Sequence, residues 1–299
     1  MESRQRRGSD LTGVIANTWN RFWFRPVDAR RLAMVRILAG SLALLLAWSY
    51  AADLETWFGS GGIVNAEVLA AWRTATAVSI FDPLASGAAV WGMFLAGIVV
   101  LVMLLAGVAT AVTAVTAALF WASLLNRGPM LAGAADDVMA VILWCLVVGR
   151  SGDCLSVGRL LADRVGRPTA APSWRNRTAL GLLRVHASAI AAAAVISQLK
   201  GDSWWNGTAA WWLAARDSAR IDISGVLAGS EYLTNLITHA ITLFEIGFAV
   251  LVWNGGTRRL AAWGGIIGWP LVGLLAGEPL WGMAMAILAV ACLPEAGDE

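Results

Sequence analysis

The chain has 299 residues, of which 58% are hydrophobic and 14% charged, with 31 glycines and 17 tryptophans spread among apolar runs. A water-soluble domain of this length does not carry that balance, so lipid is the expected solvent and a soluble enzyme is excluded. The formal net charge of +2 identifies no partner, whereas the placement of the 22 basic residues is informative because arginine and lysine orient membrane spans.

Residues 1–31 form a basic, polar segment without the short apolar core and cleavage site of a removed signal peptide, so the first span is expected to direct insertion. A spanning helix needs about 20 mainly apolar residues to cross about 30 Å of hydrocarbon. The windows that approach this are 32–51, 85–106, 109–126, 131–149, 178–198, 233–253, 259–276 and 279–293. They predict an all-α, polytopic transmembrane bundle of about eight spans, within a range of seven to nine. It forms one transmembrane domain over 32–293, with a short cytoplasmic tail at 294–299. The 44 residues between Asp82 and Arg127 carry no charge, too long for one span and right for two with a tight turn near Gly107. Only Gly277 and Glu278 separate the last two windows, so one of them is expected to be tilted, broken or re-entrant.

Basic residues fall on one side of this arrangement. Arg4, Arg6, Arg7, Arg21, Arg25, Arg30 and Arg31 precede the first span. Arg150, Arg159, Arg164, Arg167, Arg175 and Arg177 follow the fourth, and Arg258 and Arg259 follow the sixth. The other side receives Arg73, Arg127, Lys200, Arg216 and Arg220. Fifteen against five puts both termini in the cytoplasm of a multi-pass protein of the inner-membrane type. Residues 150–177, with glycines and prolines among the arginines, read as a solvated linker, and 52–84 and 199–232 lie outside. The outer segment 199–232 carries Trp204, Trp205, Trp211 and Trp212 at a spacing that lets the pairs share one helical face. It reads as a short amphipathic helix flat in the headgroup layer, either a depth anchor or a lip over a cavity.

An ionisable group inside a span costs about 2.5–3.5 kcal/mol on insertion scales, so it faces protein or a water-filled cavity. Glu245 lies near the middle of the sixth span, with Thr238, His239 and Thr242 nearby; it is either a structural carboxyl or part of a site. His186 in the fifth span is either a proton-transfer group or a packed histidine. Asp136 and Asp137 open the fourth span, where a helix N-terminus favours carboxylates. The fifth span ends in Ser197, Gln198 and Lys200, polar residues around Leu199 that run into the tryptophan segment. His186, Gln198 and Glu245 are expected to line one cavity open to the outside. Phosphate-loop, zinc-protease and serine-hydrolase motifs are absent, Cys145, Cys154 and Cys292 have no metal-ligand spacing, and no aromatic platform for nucleic acid accompanies the arginines.

Four segments together resemble the horizontally transferred transmembrane domain family, which includes the vitamin K-dependent gamma-carboxylases and bacterial membrane proteins that mature a sporulation-delaying peptide. They are Arg36-Ile37-Leu38-Ala39-Gly40 through Asp53-Leu54; Asn126-Arg127-Gly128-Pro129 with Asp136; Gln198 through Ala209, containing Lys200, Trp204, Asn206 and Gly207; and Phe244-Glu245 with Leu251-Val252-Trp253. The resemblance covers roughly residues 30–293. It implies a bacterial helical membrane domain in which Asn126, Arg127, Asp136, Gln198, Trp204, Asn206 and Gly207 bind substrate. In the carboxylases a lysine before the tryptophan turn is the base that starts vitamin K oxidation, and Gln198 falls at that position here. Lys200 is two residues on, about 200° around a helix. The seventh span has Trp269-Pro270 where family members tend to have a histidine.

Three functions follow from these readings. The leading one is a family member without carboxylase activity, whose outward cavity takes a lipid, a quinone-like molecule or a small exported peptide, the last for maturation. Its rival is an enzyme that oxidises a quinol or vitamin K-type hydroquinone, working with a membrane redox partner, with Lys200 or His186 as base and Glu245 in the site. The third is a structural membrane subunit.

Overall fold

The structure is a computed structural model that describes residues 13, 16–59, 61–74, 77–84, 86–219 and 221–294. Arg4, Arg6, Arg7, Arg220 and the tail from 295 to 299 lie outside the described residues. Among the described residues, eight helices of 13 residues or more make up the body: α1 (Arg30–Ala51), α2 (Gly87–Ala106), α3 (Thr110–Arg127), α4 (Ala134–Val148), α5 (Trp174–Gln198), α6 (Glu231–Leu251), α7 (Gly255–Leu275) and α8 (Pro279–Ala291). Each falls on one of the eight apolar windows. Side-chain caps set several starts. Ser86, Ser173, Ser230 and Asn254 accept from backbone N–H groups of the first turns of α2, α5, α6 and α7, satisfying donors that a helix leaves without partners. No strand occurs among the described residues, and an isolated bridge joins Val27 to Ser173.

Four of these helices, α1, α2, α5 and α6, are long and apolar enough to cross a membrane. Between α2 and α3 the chain reverses in three residues, with Gly107 at φ 75° and Ala109 at φ 46°. A side chain at 107 would meet Ser156 Cβ at 2.4 Å and the Arg36 guanidinium at 2.6 Å, so glycine serves both the left-handed turn and the close approach.

The helices pack mainly as neighbours in sequence, with α1 also against α4 and α5, and α8 is shared most widely: it contacts α1, α4, α5 and α7. Although only 13 residues long, about 20 Å, α8 buries Gly282, Ala284, Met285, Ile287, Leu288, Ala289, Val290 and Ala291. Its tight seam with α7 depends on missing side chains. A Cβ on Gly282 would lie 2.5 Å from the Trp269 carbonyl, and one on Gly273 would lie 2.9 Å from Gly282 Cα, the small-residue contact that lets helices meet without a water-driven force. Neither of the last two helices is interrupted: α7 runs through Pro270, and Pro279 opens α8, where proline needs no helical partner. Of the tilted, broken or re-entrant alternatives, the broken one is corrected: α8 is short but continuous.

Residues 150–177 are also more ordered than a solvated linker. They contain a 3₁₀ turn (Ser151–Asp153) and a helix, Val157–Arg164, capped by Ser156. The reason is Arg36. This fully buried arginine of α1 donates from Nη1 to the carbonyls of Leu104 (2.6 Å) and Leu105 (2.8 Å), and from Nη2 to Leu155 (2.6 Å). It caps the C-terminal end of α2, where carbonyls lack partners, and fastens the connector to it.

Candidate functional site

Helix α6 exposes Glu231 and His239 and carries a row of buried or half-buried polar residues, Thr234, Thr238, Thr242 and Glu245. Their spacing of four, four and three puts them on one face. That face meets α5 and the 199–232 segment. Gln198, the last residue of α5, donates from Nε2 to Glu245 Oε2 at 2.6 Å and accepts from Thr242 Oγ1 at 3.0 Å. Glu245 is 1% exposed and Gln198 is buried beside it. The amide therefore has a donor end and an acceptor end each occupied, an arrangement in which neither group is left unsatisfied in apolar surroundings.

One turn further along, Thr238 links the helix to the tryptophan segment. Its hydroxyl is 2.8 Å from both the Gly207 and the Thr234 carbonyls, and it accepts from the Ala210 N–H at 3.0 Å. Gly207 has φ 77°, and a Cβ there would fall 1.8 Å from Asn235 Oδ1. That left-handed residue divides the segment into two short helices, Asp202–Trp205 and Ala209–Ala214. The reading of all four tryptophans on one helical face is thereby corrected: Trp204 and Trp205 precede the reversal, and Trp211 and Trp212 follow it. Trp205 and Trp212 are exposed, and Trp205 Nε1 donates to the Leu199 carbonyl at 2.8 Å. Asn206 Oδ1 accepts from the Thr208 N–H and hydroxyl, shaping the turn. Trp204 is half-buried.

Of the three residues expected to line one cavity, Gln198 and Glu245 meet, whereas His186 faces α4. Twelve residues turn a helix by about 120°, and α5 uses that rotation to present Gln198 to α6 and His186 to α4. His186 lines a cavity of about 320 Å³ with Ala140, Val141, Trp144, Cys145 and Leu182. Its Nδ1 lies 2.8 Å from the Leu182 carbonyl. That contact requires a proton on Nδ1, which in the neutral ring makes Nε2 an acceptor. Lys200 is exposed beyond the end of α5, and His239 is exposed on α6.

Asn126, Arg127 and Asp136 belong to a different group. Asn126 Nδ2 donates to the Val78 carbonyl at 2.9 Å, and buried Arg127 donates from Nη2 to Phe58 (3.2 Å) and Gly59 (3.4 Å). With Ser79 Oγ donating to the Ser123 carbonyl at 2.7 Å, they tie residues 52–84 to the end of α3. Asp136 Oδ2 accepts from the Gly133 N–H at 2.9 Å, capping α4.

Two features escaped sequence reasoning: that Thr238, Thr242 and Glu245, which it grouped, form one row with Thr234, and a cluster of arginines. The row on α6 was legible as a four-four-three spacing of threonines and glutamate within an apolar run. The second is a cluster of buried arginines at the end of α8: Arg258 donates to the Cys292 (2.9 Å) and Leu293 (3.1 Å) carbonyls, Arg31 to Ala291 (3.5 Å), and Arg184 lies against the same end. Arginine at a helix C-terminus answers both its partial negative charge and its unpaired carbonyls. Among the described residues no three histidines, cysteines or carboxylates are grouped to hold a metal ion.

In comparison with known proteins, no family model matches the chain, and neither a curated protein nor a solved structure matches it.

Proposed function

We propose that this is a multi-pass membrane protein in which about eight helices cross the bilayer, both termini are cytoplasmic, and the face bearing the tryptophan turn receives an amphiphilic partner. That partner is a lipid, a quinone-like molecule or a small exported peptide, and the protein acts on it as a binding or maturation factor of the horizontally transferred transmembrane type, without carboxylase activity. Four helices of sufficient length and apolarity, and the fifteen-to-five asymmetry of basic residues, support the membrane arrangement.

The observation that carries the binding reading is the buried Gln198–Glu245 pair at the foot of an exposed aromatic rim. Trp205 is 67% exposed and hangs from the residue next to Gln198, with Trp212 also exposed in the same segment. Such rings favour the boundary between hydrocarbon and water, where an amphiphile is met. Gln198 takes the place of the family's catalytic lysine, and an amide has no basic lone pair with which to deprotonate a hydroquinone.

Incubating the purified protein with reduced vitamin K or menaquinol, and following epoxide or quinone formation, tests this. Turnover is expected to stay at the level without protein, while a photo-crosslinking residue at position 212 captures the partner in cells. The redox alternative rests on the His186 cavity, where Nε2 is an acceptor. Turnover that is lost in His186→Ala would establish that alternative and overturn the binding reading.

A further inference from the structure

The helix Val157–Arg164 buries none of its residues, although it is strongly two-sided. Val157, Leu160, Leu161 and Val165 recur at a helical spacing and form one apolar stripe. All four are exposed, Leu160 by 64% and Val165 by 71%, and Leu155 just ahead of them is exposed as well. Arg159, Arg164 and Arg167 lie on the same segment against a single acid, Asp163. The Arg159 guanidinium is engaged by Asp163 and by the carbonyls of Arg167 and Pro168. Arg164 and Arg167 are exposed.

The fold fixes where this stripe sits. Arg36 holds Leu155 against the last carbonyls of α2, and a Cβ on Gly158 would be 3.3 Å from the Gly107 carbonyl. The helix thus starts beside the turn that closes the α2–α3 hairpin. Beneath it is a cavity of about 790 Å³ walled by Ile37, Leu105, Ala106 and Leu160. An apolar stripe left uncovered at the level where apolar helices end, flanked by basic residues, matches one occupant in both position and charge.

We propose that residues 155–167 form an interfacial element seated in the cytoplasmic headgroup layer, with Leu160, Leu161 and Val165 in the acyl boundary and Arg164 and Arg167 on anionic phospholipid. This rests on the membrane reading above. It adds a preference for an anionic leaflet to a segment otherwise expected only to link two spans.

The test uses the full chain with Cys154→Ser, placed in nanodiscs whose phosphatidylcholine is brominated on its upper acyl carbons, with and without phosphatidylglycerol. A fluorophore is attached at Leu161→Cys or, as a reference on α2, at Val99→Cys. Position 161 is expected to be quenched by the brominated chains, more strongly with phosphatidylglycerol. Replacing Arg164 and Arg167 by glutamine is expected to shift the seated-to-lifted equilibrium by about fivefold for each charge removed. Quenching at 99 without quenching at 161 would overturn the interfacial seat and leave the membrane reading intact. Quenching at neither position would overturn both. Quenching at 161 that ignores phosphatidylglycerol and both arginines would overturn the anionic preference.

Discussion

Gln198 and Glu245 stand 47 residues apart in the chain and are joined by a single buried hydrogen bond of 2.6 Å, the amide nitrogen of one donating to the carboxyl oxygen of the other. Because Thr242 donates to the other end of the same amide, the glutamine connects two polar atoms of α6 and holds α5 against it. Inter-helix hydrogen bonds in membranes are worth about 0.6–2 kcal/mol, and a buried polar group deprived of its partner costs about 1–3 kcal/mol.

Gln198→Ala is therefore expected to destabilise the fold by about 1–3 kcal/mol, since it strands Glu245. Glu245→Gln keeps the size and an acceptor oxygen and is expected to cost under about 1 kcal/mol. Equilibrium unfolding in mixed micelles measures both. Equal losses, or a greater loss in Glu245→Gln, would show that the carboxyl has a partner more important than Gln198.

The turn at Gly207 makes a second expectation. Alanine there meets Asn235 Oδ1 at 1.8 Å and must also hold φ 77°. The steric term is about 1–3 kcal/mol and the left-handed backbone about 1–2 kcal/mol. Asn235→Ala should restore the first and leave the second, so the double variant is expected to recover about half of the loss. Gly201→Ala is the control: its Cβ would meet Trp204 Cδ1 at an ordinary 3.4 Å. Full recovery in the double variant would show that the backbone conformation costs nothing.

The positions of α1 to α8 were legible because extended hydrophobic runs, interrupted by Ser86, Gly107, Ser173, Ser230 and Asn254, record helix extent in local sequence. Which residues meet was less legible, since it depends on how each helix is rotated. His186 and Gln198 share a helix, but a third of a turn sends one to α4 and the other to α6. The tryptophans looked like one face because spacing alone cannot report that Gly207 adopts a left-handed conformation between them. Asn126 and Arg127 were noticed as a motif, but their partners are backbone carbonyls of residues 58, 59 and 78, which no side-chain pattern announces.

Arg36 offers a test of the connector. Three carbonyls from two separate segments converge on one guanidinium, a fork that a lysine ammonium does not reproduce. Arg36→Lys is expected to lose at least one of these charged bonds, worth about 1.5–3 kcal/mol each, with the 150–177 segment loosened first. Limited proteolysis should show faster cleavage between residues 155 and 170, before global unfolding. Cleavage at the wild-type rate in that interval would mean that Arg36 does not fasten the connector.

The orientation of the protein can be read from two surface positions. Pro172 lies in the basic segment between α4 and α5, and Asp217 in the segment between α5 and α6; both are exposed. A single crossing by α5, which has 25 residues and is among the helices apolar enough to span, would put them on opposite sides of a bilayer. The basic excess assigns Pro172 to the cytoplasm. Cys145 and Cys292 are buried, so with Cys154→Ser a cysteine at 172 or 217 is the accessible thiol among the described residues. In intact cells an impermeant maleimide is expected to label Asp217→Cys strongly and Pro172→Cys only after permeabilisation. The reverse pattern would invert the topology and place the tryptophan rim inside. Labelling of both positions without permeabilisation would remove α5 from the membrane altogether.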